Sequence, residues 1–429
     1  MDHSSLSFAL QLSRWVGVAP YVRTPEYRVS RTIDIIGKIF VTFASAVAAL
    51  LVIASLFFYE DATLLTVDYL HSGARIMAAV IALIGSYTAS ERLSRMFRML
   101  KQLNQIDTNL PCKRIPHSDW AMYILMCSTL LYTIGVPITT FTLNTNKDNS
   151  IIFWEILSKI SRALMYQIVT LIEMQMITFA GRVLQTLTTV NQSLELLIPV
   201  EDSILATPDT KKIARRNAWE NTGTFKIDVK PKTTLDYNRK NVENKSDTAN
   251  AYDANTLRQL AKYIFNICKI VRTITEGDGY LLMMLLVCHT LHVEISWHKT
   301  IVWLSSTTEL MYLYVIPSIL RSVVHSIALI YCTEVFHQTH AEMDRTHQII
   351  NYLKCRRCDE EDVNNELELF VRMLLLNKTT YSPLHMCTLS RLLVMKIFGS
   401  LVTYLIIILT YGTETKAPEL IFENKRTLI

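Results

Sequence analysis

Charge is absent from long stretches of this chain, and those gaps set its architecture. Residues 39–59 run for 21 positions without Asp, Glu, Lys or Arg, and residues 120–143 run for 24. An apolar run beyond about 18 residues reads as a transmembrane helix. Five further stretches follow the same pattern with interruptions. Residues 70–89 carry His71 and Arg75 in the first turns, and 163–181 hold Glu173 midway. Residues 280–303 are clean to Val293 and then meet Glu294, His298 and Lys299, which makes this the weakest of the seven. Residues 310–336 contain Arg321, His325 and Glu334, and 392–412 have Lys396 near the start, where it can snorkel to an interface. The pattern predicts an all-α membrane protein of seven transmembrane helices.

A second periodicity runs outside the spans. Val183, Leu187, Val190, Leu194 and Leu197 follow the fourth span at steps of four and three. Leu257, Leu260, Ile264, Ile267, Val271 and Ile274 precede the fifth, and Val363, Leu367, Phe370 and Leu374 precede the seventh. Three separate surface helices would show the same spacing. The continuity of each seam with a span favours helices that extend past the bilayer and form an anchor bundle. Between the first two seams, residues 201–255 read KKIARRN, KIDVKPKTT and DYNRKNVENKSDTAN, too poor in aliphatics to offset their ordering entropy. This segment is expected to be a disordered insertion and solvated, although its basic balance would suit anionic lipid.

Composition agrees. Half of the residues are hydrophobic, mean hydropathy is positive, and 19% are charged against about 25% in soluble domains. With the N-terminus inside, segments 1–36, 90–118, 182–278 and 335–391 face the cytoplasm and hold 32 of the 43 Lys and Arg. That excess predicts a cytoplasmic N-terminus and an extracellular C-terminus. The sequons at Asn191, Asn244 and Asn377 all fall inside, and none of the eight cysteines lies in an outer loop. No cleavable signal peptide is expected, so the first span would act as the insertion signal. The expected organisation is a cytoplasmic segment 1–36, spans one to four in 37–181, helical extensions with the insertion in 182–278, and spans five and six in 279–336. Anchor helices in 337–391, a last span in 392–412 and an extracellular tail in 413–429 complete a multi-pass protein of the plasma membrane.

The last span ends TYLIIILTYG, residues 403–412. Thr403 and Thr410 lie two helical turns apart on one face. Seven spans with the N-terminus inside, a long second cytoplasmic loop and this ending together resemble the insect gustatory receptors, whose chains close on Thr-Tyr, five hydrophobic residues and Gln-Phe. Here Thr403 and Tyr404 match, 405–409 supply the five, and Thr410 and Tyr411 stand in place of Gln and Phe. VAPY at 18–21, RLSRMFRMLKQLNQIDTNL at 92–110 and TTYSPLHMCTLSRLL at 379–393 are similar to the family as well. The resemblance implies a ligand-gated, non-selective cation channel of sensory neurons. It would be a homotetramer, or a heterotetramer with other gustatory receptors, set in membrane lipid around a pore lined by the last helix. Thr403, Ile407, Thr410 and Tyr411 become pore-lining candidates, with the aliphatics between the threonines as a dewetting constriction. Packing against another helix is the plainer role for either threonine. The shorter Thr410 in place of Gln puts ion selectivity in question.

The resemblance also implies a pocket for a small-molecule tastant among spans two to six. Residues suited to it are Tyr166 and Gln167 on span four, His292 and Glu294 on span five, and Tyr314, Ser318, Arg321 and His325 on span six. They combine apolar area with a few convergent polar groups. Thr133, Pro137, Thr139, Thr140, Trp154, His289, Trp297, Tyr312 and Ser322 are further residues of the outer halves. A charge at membrane depth needs a partner or water. Glu294 and Arg321 are therefore expected either to pair or to face a wet cavity, while Glu173 has no evident partner. Leu405 stands where glucose-type receptors carry an acidic residue, which turns the reading toward bitter or aversive compounds. Fructose-type sugars and internal nutrient sensing stay open.

Other chemistry is set aside. Cys355 and Cys358, with His337, His340 and His347 upstream, have the spacing of half a zinc site on what reads as continuous helix. No nucleophile elbow, phosphate loop or HExxH signature is present, so no enzyme, metal, cofactor or nucleic-acid partner is expected. A G-protein-coupled receptor also has seven spans but predicts an outside N-terminus. A transporter predicts paired, interrupted spans that are not seen here. On intact cells, an epitope at the N-terminus should be hidden from antibody and one at the C-terminus exposed; the reverse labelling would overturn the topology.

Overall fold

Helix length separates what lies in the membrane from what cannot. In a computed structural model, the described residues are 4–16, 18–23, 27–58, 65–110, 127, 149–198, 239–304, 312–357, 361–377 and 380–411. They form α1 (Ser4–Trp15), a hairpin of β1 (Tyr21–Arg23) and β2 (Tyr27–Val29), α2 (Arg31–Phe58), α3 (Leu65–Tyr87) and α4 (Ala89–Asn109). Then come α5 (Asn149–Glu195), α6 (Arg239–Leu304), α7 (Tyr312–Arg356), α8 (Glu361–Leu376) and α9 (Arg391–Tyr411). Crossing a bilayer takes about 20 residues. Helices α5, α6 and α7 have 47, 66 and 45 residues, so each must continue well beyond it.

Among the described residues, four helices are long and apolar enough to cross a membrane, or five if α3 and α4 make one bent span. These correspond to the expected first, second, fourth, fifth and sixth spans. The expected third span, residues 120–143, lies outside the described residues, as does most of the insertion at 201–255. The last expected span begins in α9 and ends beyond what is described. The structure is thus an all-α, multi-pass helical bundle in which a count of seven is not itself displayed.

Burial ranks the helices. In the apolar window of α5, 89% of the residues are buried, against 33% in α2 and 39% in α7. Helix α5 is therefore the central strut, and α2 and α7 turn much of their apolar surface outward, as helices facing lipid do. Close approach of α3 to α5 depends on Gly85, where a Cβ would come within 2.3 Å of the Ile172 side chain. At Thr88 the chain bends by 60° into α4. There the polar face engages both struts: Arg92 donates to Gln175 Oε1 at 3.0 Å, and Arg95 pairs with Asp278 at 2.9 Å. The VAPY segment is an anchor, with Val18, Ala19 and Tyr21 buried and the Tyr21 ring edge-on to Phe97 at 6.3 Å.

Beyond the membrane the three heptad-like seams meet. All six seam residues of α6 from Leu257 to Ile274 are buried, as are Val183, Leu187, Val190 and Leu194 of α5 and Val363, Leu367, Phe370 and Leu374 of α8. Leu197 is partly buried against them. A polar lock sits beside the seam: Asn191 Nδ2 donates to Glu342 Oε2 at 2.8 Å, and Thr346 donates to Asn191 Oδ1 at 2.7 Å. Cys355, exposed on α7, and His340, which accepts the Tyr381 backbone N–H at 2.7 Å, serve no common centre. Among the described residues no group of three His, Cys, Asp or Glu is placed to hold a metal.

The approach to α9 is pinned as well. Tyr381 is fully buried against Phe336, with ring centroids 4.6 Å apart, and burial raises its phenol above the usual range. Leu384 and His385 then take positive φ, 53° and 58°, in a tight turn. The turn rests on Gly279, at which a Cβ would meet Leu384 N and Pro383 Cα at 3.4 Å, an ordinary contact distance. Arg391 at the start of α9 grips Glu334 of α7 through Nε at 2.8 Å and Nη2 at 2.5 Å. Replacing Phe370 with Ala should destabilise the bundle by about 3–5 kcal/mol through the cavity it leaves. The thermal midpoint of the solubilised protein checks this, with exposed Leu376→Ala close to neutral.

Candidate functional site

Four-residue spacing builds the site. On α6, Cys288, His292, Ser296 and Thr300 lie on successive turns of one face, and His289 lies beside them. All five are buried, which makes a polar stripe inside an apolar bundle. Within the stripe, Ser296 Oγ donates to the His292 carbonyl at 2.6 Å and Thr300 Oγ1 to the Ser296 carbonyl at 2.8 Å. The stripe faces α5 and α7, and each side chain that needs more than its own backbone finds it there.

His289 is the hub. Its Nε2–H donates to the Glu173 carboxylate of α5 at 2.9 Å, and its Nδ1 lies 3.0 Å from His325 Nδ1 of α7. Two ring nitrogens at that distance require one proton between them, so one histidine donates and the other accepts. His292 has its tautomer fixed. Nδ1 must donate to the Cys288 carbonyl at 2.6 Å, which leaves Nε2 to accept the Tyr166 hydroxyl proton. The Tyr166 ring stands edge-on to His292 at 4.7 Å, and the His325 ring lies 4.6 Å from His292. Arg321 of α7 donates through Nε to Ser296 Oγ at 2.8 Å.

On its other side Tyr166 borders a narrow cleft with a cavity volume of about 20 Å³. Ala48, Leu51 and Val52 of α2, Arg75 and Ala78 of α3, and Ser158, Ser161 and Met165 of α5 complete its described walls. Its walls mix apolar surface with a few polar groups, as a small-molecule site does, but the volume is that of a water site and would have to widen to admit a ligand. The Ser161 hydroxyl is enclosed without a hydrogen-bond partner. One side chain, Tyr166, thus joins this cleft to the histidine cluster.

The expected residues divide as follows. Tyr166, His292, Arg321 and His325 come together, with Gln167 and Ser318 partly buried beside them in sequence. Glu294 and Arg321 do not pair. Glu294 lies two positions from Ser296, about 200° round α6, and interacts electrostatically with Tyr404 of α9 while Arg321 bonds Ser296. Tyr314 falls on α7 and Tyr411 closes α9, but their side chains lie outside the described residues. On α9, Thr403 and Thr410 are exposed and donate to their own helix, at Gly399 O (3.0 Å) and Ile406 O (2.8 Å). Val402 just before them and Ile406 and Ile407 between them are exposed as well. Glu173, for which no partner was expected, has His289. The four-residue run of polar groups in 288–300 was the signal for Ser296 and Thr300, and the expected cleft residues omitted α2 altogether.

A family description, 7tm chemosensory receptor, matches residues 6–414. The chain belongs to the 7tm chemosensory receptor family. Among solved structures this chemosensory receptor is similar to the insect olfactory receptor OR5 from Machilis hrabei, with a TM-score of 0.57 at 9% identity over 94% of this chain and 97% of that one. An identity so low carries the fold alone. No curated protein matches the chain. Membership makes this a chemoreceptor and not an enzyme, and its apolar helices are those of a multi-pass plasma-membrane protein.

The Glu173–His289 contact is enclosed, so removing one partner strands the other. Glu173→Ala should cost about 1–3 kcal/mol, and His289→Ala a similar amount. The double variant should cost less than the sum. A thermal-stability cycle on the purified receptor measures the coupling, and strict additivity would show the contact to be idle.

Proposed function

We propose that this chemosensory receptor is of the gustatory type: a ligand-gated, non-selective cation channel of the sensory-neuron membrane, opened by small-molecule tastants of the bitter or aversive kind. The observation that carries the reading is α9. It bears Thr403-Tyr404 followed by five hydrophobic residues, and it leaves Thr403, Ile407 and Thr410 uncovered within one chain. Lipid would answer the aliphatics alone, but with the two threonines on the open side the helix suits a tetramer, of this chain alone or mixed with other gustatory receptors, around a pore lined by Thr403, Ile407, Thr410 and Tyr411. The hydroxyls of both threonines turn back to their own carbonyls, so aliphatic surface dominates the open face and suits a closed, dewetted gate. Tastant would enter the cleft at Tyr166 and act through His292, His325 and Arg321, with Gln167, Glu294, Tyr314 and Ser318 as neighbours.

Whole-cell recording from cells expressing the chain, alone and beside related receptors, with G-protein signalling blocked, tests this reading. A screen of plant bitter compounds and sugars should evoke a cation current, and Thr410→Val should change its relative permeability. A surface-expressed receptor that conducts in no combination would overturn the channel reading.

A further inference from the structure

Glu173 is paired with His289, but among the described residues no carboxylate is paired with Arg321. Arg321 is 7% exposed, and its one hydrogen-bond partner among the described residues is the neutral Ser296 hydroxyl. Neither of its terminal nitrogens is among the fully enclosed atoms that lack a partner. Beside it on α7, Ser322 is 1% exposed and its hydroxyl is enclosed without a partner. His325 follows one turn along the same face.

Depth and tether decide what can answer that charge. Arg321 lies nine residues into α7, about 14 Å along the axis. The bond from Nε to Ser296 holds the guanidinium within the bundle instead of letting it snorkel toward headgroups. A guanidinium with Nε engaged presents its remaining N–H groups as a fork suited to a carboxylate. The nearby carboxylates are otherwise employed: Glu173 faces His289, and Glu294 points round α6 toward α9. Tyr166, His292 and His325 pack ring against ring, and His325 lies one turn from Arg321 on α7.

We infer that Arg321, tethered by Ser296, is an anion subsite and that this receptor takes ligands bearing a carboxylate on a small apolar or aromatic body. The inference rests on the reading of these spans as the ligand-binding region, but not on channel activity. The ligand's carboxylate bonds the two terminal nitrogens, and the buried cation gains the counter-ion that no described carboxylate supplies. Neutral isosteres leave the charge unanswered and bind less well.

The test uses the full-length receptor in phosphatidylcholine nanodiscs at neutral pH. Thermal stabilisation by hexanoate and benzoate is compared with that by hexanamide and benzamide, and current is recorded separately with the same four compounds. At least one carboxylate should stabilise the wild type tenfold more potently than its amide. Arg321→Gln should abolish the difference, and Ser296→Ala, which keeps the cation but frees it, should reduce it severalfold. Equal potency of acid and amide, no stabilisation by either acid, or a preference unchanged in both variants would overturn the inference. Amide-evoked current with silent acids would overturn it while leaving the channel reading intact. Arg321-dependent binding of an acid would support it even without current.

Discussion

Helices α5, α6 and α7 stay unbroken for 45 to 66 residues, so the packing of their apolar seam beyond the bilayer dictates which side chains meet inside it. One turn of axial slip is about 5.4 Å, enough to part Glu173 from His289 and His292 from Tyr166. The seam residues Val183–Leu194, Leu257–Ile274 and Val363–Leu374 hold the helices by burial. The Asn191–Glu342–Thr346 lock adds what burial lacks, a preference for one register, because a shift would strand its polar groups. Polar contacts in the membrane are therefore inherited from packing outside it.

The same economy governs the last helix. Helix α9 makes slight contact with its own bundle, yet its base is fixed from three directions. Tyr381 is seated under Phe336, the 383–385 turn rests on Gly279, and Arg391 is forked onto Glu334. Beyond that base its aliphatic face is uncovered. Helix α6 touches both ends of this arrangement, carrying the histidine stripe at 288–300 and the Gly279 landing about two and a half turns earlier. The stripe that Tyr166 joins to the cleft and the landing of the turn that launches α9 are thus built on a single element.

How much of this was legible in the sequence follows from the range of each interaction. The seams could be read because apolar spacing along one helix records which face is buried, whatever buries it. The spans could be read because hydrocarbon excludes charge over some 20 residues. Partner choice could not. Glu173 and His289 lie 116 positions apart, and nothing local distinguishes His289 from His292 as the one that answers the carboxylate. Pairing Arg321 with Glu294 was reasonable by depth and failed by azimuth: the residue on the α7-facing side of α6 is Ser296. The cleft drew on α2 because Ala48 and Ala78 are small where two helices and Tyr166 leave room, a volume effect that one-dimensional pattern does not encode.

A rod clamped at one end is a lever. Ile264, within the clamped seam of α6, is 28 residues from His292, about 42 Å along the axis. With the seam as fulcrum, a tilt of about 3° would displace His292 by about 2 Å over that length, more than its hydrogen bond to Tyr166 tolerates. Small angular freedom near the anchor is thereby amplified into a choice between holding and releasing the cluster. The long solvent-side stalk, which has no contact with any ligand, sets the mechanical gain of the site at its far end.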